Sequence, residues 1–119
     1  MQVQSKGKEN NGEGRIRRWE GPADYSSIPD PKNLSASTKP TPRQVSEMKR
    51  LNREHNGGVL RPDMDGTVLV DSKKSIKGVT PPSNEAQIDH IIPVDKGGKR
   101  ASSNLQILSR QQNRGKWNN

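Results

Sequence analysis

The sequence predicts a small α+β fold in which strand, loop, strand and closing helix follow an earlier helix and a polar N-terminal arm. Three observations predict it. Residues 87–92 are β-branched and apolar apart from Asp89 and His90, which suits a strand. A second apolar run, Leu105-Gln106-Ile107-Leu108, suits a returning strand, and the polar stretch between them carries Gly97-Gly98 and Ser102-Ser103. A helix start is written at Thr41-Pro42-Arg43-Gln44, with an N-cap, a proline at the first helical position and a Gln placed for a capping box.

Along the chain, residues 1–40 are rich in Gly, Asn, Ser, Lys and Pro and bury too little to offset chain entropy. They are predicted to be a flexible basic arm carrying Lys6, Lys8, Arg15, Arg17 and Arg18, and residues 41–119 the folded domain. In the first helix Val45, Met48 and Leu51 recur at helical spacing, and Asn56-Gly57 ends it. Lys49, Arg50 and Arg53 fall mostly off that stripe and read as a solvated face. His55 reads as a C-terminal helix residue, not a ligand. Asp63-Met64-Asp65-Gly66 is a turn without further ligands at calcium-loop spacing, leading to an expected strand at residues 67–70. Val59, Leu60, Val68, Leu69, Val70, Ile76 and Val79 are the candidate core ahead of the second half. After the returning strand, Ser109 is the expected N-cap of a last helix, on which Asn113 and Lys116 share one face. Gly97-Gly98 reads as a flexible turn with no chemistry.

Composition narrows the function. A chain of 119 residues, 25% hydrophobic and without Phe, supports one domain with a small core. The absence of Cys excludes disulfides and zinc held by Cys-x-x-Cys turns. No internal repeat is visible, and no apolar run is long enough for a membrane span or signal peptide. With 21 Lys and Arg against 13 Asp and Glu, the net charge of +8 points to a polyanionic partner bound with marked salt dependence. Trp19 and Trp117 are too few and too far apart for a base-stacking platform.

The chemistry concentrates at Asp89-His90. Cutting a phosphodiester needs a neutral imidazole to take a proton from water and a hard cation to neutralise charge on the phosphate and the leaving oxygen. On a strand the two side chains diverge, so a second element must close over one face, and the last helix brings Asn113 towards Asp89.

In order, Asp89-His90, Asn104 and Asn113-Arg114-Gly115-Lys116 resemble the HNH nucleases, with the ββα-metal (His-Me finger) fold, and look closest to the HNH domain of RNA-guided CRISPR effector nucleases. The resemblance covers residues 85–117. It implies that His90 is the general base, that Asp89 and Asn113 hold the metal, and that Asn104 holds the loop and orients the base. Lys116 would approach the phosphate, and Arg61, Lys99, Arg100, Arg110 and Arg114 are the candidate nucleic-acid contacts. Many members carry His where this chain has Asn113. An all-oxygen ligand set suits one Mg²⁺ or Mn²⁺.

The implied reaction is endonucleolytic hydrolysis of DNA, double-stranded and with little sequence specificity, leaving a 5′ phosphate. An RNase of the same fold and a non-catalytic DNA-binding ββα module are the alternatives. A small nuclease with a basic arm also resembles the C-terminal toxin domain of bacterial polymorphic toxins of the Rhs or contact-dependent kind. That context implies an acidic immunity protein as partner and action in the cytoplasm of a target cell. Phage and restriction contexts stay open.

Overall fold

The computed structural model describes residues 18–34 and 37–117, and of Trp117 the backbone only. Helix α1 (Pro42–His55) comes first, then strand β1 (Ala86–His90), strand β2 (Leu105–Ser109) and helix α2 (Arg110–Trp117). The strands form an antiparallel pair in which Ala86 faces Ser109, Ile88 faces Ile107, Asp89 faces Gln106 and His90 faces Leu105. With α2 following β2 directly, this is the expected ββα order.

Both helices start as their sequences dictate. The Thr41 side chain accepts from the Gln44 N–H while the Gln44 side chain accepts from the Thr41 N–H, closing the capping box. Gly57, at φ 72°, lets the chain turn away beyond the end of α1. At α2, Ser109 Oγ accepts from the Gln112 N–H and Gln112 Oε1 accepts from the Ser109 N–H, so the last strand residue caps the helix that follows.

The core lies on one face of the hairpin. Because strand side chains alternate, Ala86, Ile88 and His90 share a face with Ser109, Ile107 and Leu105, whereas Gln87 and Asp89 share the other with Leu108 and Gln106. The first face is covered by Met48, Leu60 and Leu69 together with Tyr25 and Ile28.

Several expectations are corrected by this packing. Of the stretch assigned to the arm, residues 18–34 are described, and they place Tyr25 and Ile28 in the core; residues 1–17, with Lys6, Lys8, Arg15 and Arg17, lie outside the described residues. The reason is polar. The buried Asp63 carboxylate accepts from the Tyr25 hydroxyl and from the Ala23 and Ile107 N–H groups, tying the N-terminal stretch to the hairpin. Asn52 adds to it by donating to Tyr25 Oη and the Arg61 carbonyl while accepting from the Arg61 N–H. The expected strand at 67–70 is only a pair of isolated bridges, Leu60 to Leu69 and Val70 to Glu85. Ile76 and Val79, expected in the core, are 66% and 61% exposed, because no further strand forms beneath them among the described residues. The α1 stripe is also polar where it is most buried: Gln44 and Asn52 flank Met48 there. Arg50 pairs with Glu47 and Glu54, and Lys49 and Arg53 both pair with Asp71, so the charged face of α1 is a set of surface ion pairs.

Candidate functional site

β1 ends at His90, earlier than the apolar run suggests, and the reason is Asn104. Its backbone carbonyl accepts from the Ile91 N–H and its Oδ1 from the Ile92 N–H, while its Nδ2 donates to the Ile92 and Lys99 carbonyls. One side chain thereby bends both ends of the inter-strand loop together, matching the loop-holding role expected of it. Ile91 and Ile92 turn outward and are exposed.

Two short 3₁₀ helices, Val94–Lys96 and Ser102–Asn104, punctuate this loop. Gly98 is no flexible hinge. Its N–H donates to the Pro93 carbonyl, and a Cβ there would run into the Ile92 carbonyl, so only glycine lets the loop close this tightly.

Asp89 lies on the hairpin face covered by α2 and is 3% exposed. Its Oδ2 accepts from Gln106 Nε2 at 2.9 Å and from Lys116 Nζ at 2.7 Å. The same ammonium donates to the His90 carbonyl at 2.7 Å, so Lys116 pins the end of β1. One turn earlier on α2, Asn113 Nδ2 donates to Gln87 Oε1 at 2.9 Å. Asn113 and Lys116 therefore do share one helix face, and that face meets the two outward positions of β1, Gln87 and Asp89.

His90 points to the opposite face, beside Leu105, as strand alternation demands. Its Nε2 is buried and has no hydrogen-bond partner among the described residues. A buried nitrogen without a partner is costly, and such atoms mark positions where a water or substrate atom is missing or chemistry is done. His55 donates or accepts at the Gly21 carbonyl, 3.1 Å away, at the end of α1, in keeping with its reading as a helix-end residue.

The basic residues divide. Arg61 is not a surface contact: it is 2% exposed, held among the segments that Asn52 ties together, so its guanidinium cannot meet a phosphate in this conformation. Arg100 is likewise diverted, donating to the Lys39 and Asn33 carbonyls and so fastening the loop to the chain ahead of α1. Lys99 and Arg114 are exposed, and Arg110 is partly so.

Among the described residues, no group of three or more His, Cys, Asp or Glu side chains is placed to hold a metal ion. Any cation here would draw on the Asp89 carboxylate and the Asn113 amide and complete its shell with water. That small, hard, all-oxygen donor set fits Mg²⁺, which keeps several waters when bound.

Sequence reasoning missed Gln87 and Gln106. Gln87 was accessible, since a strand places residues two apart on one face. Gln106 was not, because only the register of the two strands sets it opposite Asp89.

The buried Asp63 has its carboxyl raised above the usual range, burial outweighing the hydrogen bonds from Ile107, Tyr25 and Ala23. The Tyr25 hydroxyl is also raised, by burial first and then by the Asp63 charge. Both are framework groups behind the hairpin and take no part in the α2 face.

Compared with known proteins, residues 73–118 match the family model described as HNH endonuclease. No curated protein and no solved structure matches the chain.

Proposed function

Since residues 73–118 belong to the HNH superfamily of nucleases, we propose that the protein is a divalent-cation-dependent endonuclease that hydrolyses DNA, with His90 as general base. HNH endonucleases act on nucleic acids and generally use a divalent metal ion. The observation that carries the reading is the arrangement around the end of β1. The buried Asp89 carboxylate and the Asn113 amide lie on one face, and the His90 Nε2, without a partner among the described residues, lies at the strand's last residue.

In this mechanism Asp89 and Asn113 hold the cation, Mg²⁺ or Mn²⁺, which supplies charge neutralisation at the phosphate and the leaving 3′ oxygen. His90 Nε2 takes a proton from the water that attacks phosphorus. Asn104 keeps residues 91–99 folded back so that His90 ends the strand at a fixed position. Lys116 offsets the Asp89 charge and holds the His90 carbonyl, so its first role is to position the ligand and the base. Lys99, Arg110 and Arg114 would contact the backbone of the nucleic acid, and the net charge of +8 favours its approach. Duplex DNA as substrate and a bacterial toxin with an acidic immunity partner are the finer parts of the proposal. Among the described residues no helix is long and apolar enough to cross a membrane.

The test is incubation of the purified protein with plasmid, linear duplex and RNA, each with Mg²⁺ or with EDTA. Nicking or linearisation of plasmid that EDTA stops is the expected result. Cutting of RNA alone would transfer the mechanism to an RNase, and cutting in EDTA would remove the cation from it.

A further inference from the structure

The contacts behind Asn113 form a directed chain. Gln87 Nε2 donates to Glu85 Oε1 at 3.2 Å, and Gln87 Oε1 accepts from Asn113 Nδ2 at 2.9 Å. Glu85, Gln87 and Asn113 thus run in one line from a buried carboxylate at the edge of β1 to the face of α2.

An amide is ambiguous by shape, because its oxygen and nitrogen ends are nearly the same size. Its environment must decide which end points where. An ionised carboxylate decides, since it only accepts hydrogen bonds. Beside Glu85, Gln87 must present its NH₂, and its oxygen is then turned towards Asn113. Asn113 must answer with its own NH₂, which turns its carbonyl oxygen away from Gln87. A cation of the hard type takes an amide only through that oxygen.

We infer that Glu85 and Gln87 are positioning residues that set the polarity of the Asn113 amide, so that its oxygen and not its NH₂ is presented to the cation. The inference rests on the reading of Asn113 as a cation ligand. It explains how an amide serves at a position where many relatives are expected to carry an imidazole: the orientation that a ring would have by shape is imposed here by hydrogen-bond polarity. It also assigns roles to two residues outside the Asp-His-Asn motif, which fits the general observation that groups orienting a metal ligand are needed nearly as much as the ligand.

The test measures Mn²⁺ affinity by titration calorimetry in the absence of nucleic acid, with melting curves to establish that each variant is folded. Glu85→Gln removes the group that fixes the direction, and affinity should fall about tenfold or more, the usual scale for losing a group that orients a ligand. The same change made on top of Asn113→Asp should cost much less. A carboxylate presents an oxygen whichever way it turns, so only the lost Glu85 charge remains to be felt. The charge-conserving swap Glu85→Gln with Gln87→Glu returns an acceptor-only group beside Asn113 and should restore affinity. If Glu85→Gln unfolds the protein, Gln87→Met cuts the same chain without changing charge and takes its place in the comparison.

Equal losses in the parent and in the Asn113→Asp variant, or a swap that stays weak, overturn the inference while Asn113→Ala still weakens binding. If Asn113→Ala binds Mn²⁺ as the parent does, the ligand reading itself has failed.

Discussion

The two halves of this molecule are held by different means. The hairpin and α2 are organised by the backbone: a ladder in fixed register, a serine cap, and a helix face set by its spacing. The covering half, residues 18–34 with α1 and residues 60–70, has few apolar groups and is organised by buried polar side chains. Asp63 joins Ala23, Tyr25 and Ile107, Asn52 joins Tyr25 and Arg61, and Gln44 Nε2 donates to the Arg100 carbonyl. A chain that is 25% hydrophobic cannot cover its hairpin with apolar surface alone. Satisfied buried hydrogen bonds supply the fit, and their partners are distant in sequence. The difference teaches that chemistry and stability are separable here: the hairpin and α2 carry the candidate site, and the covering half keeps that site folded.

The sharpest way to break this separation is His90→Ala. Loss of a general base should lower cleavage by roughly 10²- to 10⁴-fold. The melting temperature should stay near that of the parent, because Nε2 has no partner among the described residues to lose. Near-parental cutting in a plasmid assay would end the assignment.

Deleting residues 1–40 tests the other half. It removes Tyr25 and Ile28 from the core and strips Asp63 of two donors, so the protein should fail to show a cooperative melt. Deleting only residues 1–17 should leave the melt intact. A folded, active 41–119 fragment would restore the boundary that composition suggests.

Asp63→Ala leaves the Tyr25 hydroxyl and the Ile107 N–H buried without an acceptor, at about 1–3 kcal/mol each. Denaturant titration should register a loss of about 2–6 kcal/mol, a large fraction of a typical domain's stability. Mn²⁺ affinity measured well below the melting temperature should not change. A variant that loses metal binding while folded would couple the two halves after all.

A finer test lies within the site. Asn113→Ala should weaken Mg²⁺-dependent cutting severely, and Asn113→His should shift the preference among ions towards Mn²⁺, Co²⁺ or Ni²⁺, since imidazole suits softer cations. Activity measured across these ions should change order between parent and variant; an unchanged order removes Asn113 from the ligand set.

The smallest effect is expected from the charges at the N-terminus. Lys6, Lys8, Arg15 and Arg17 are available to phosphates, and each lost contact reduces the slope of log affinity against log salt by about 0.9 on duplex DNA. The 1–17 deletion should therefore bind more weakly and with a shallower slope. An unchanged slope would show that those residues make no backbone contacts.

By itself the sequence determined what depends on neighbours along the chain. The capping box at Thr41 and Gln44, the cap at Ser109, the alternation that sends Asp89 and His90 to opposite faces, and the helical spacing that aligns Asn113 with Lys116 are all local, and all appear where they were expected. Tertiary structure decided the rest. That Tyr25 and Ile28 leave the apparent arm for the core follows from Asp63, nearly forty residues away. That Arg61 and Arg100 are structural and not surface contacts follows from the carbonyls and segments packed around them. That Gln106 supports Asp89 follows from a strand register. The physical reason is common to these cases. A polar side chain carries no periodicity that announces its partner, and whether it is a surface group or a buried tie depends on which donor or acceptor the folded chain brings to it.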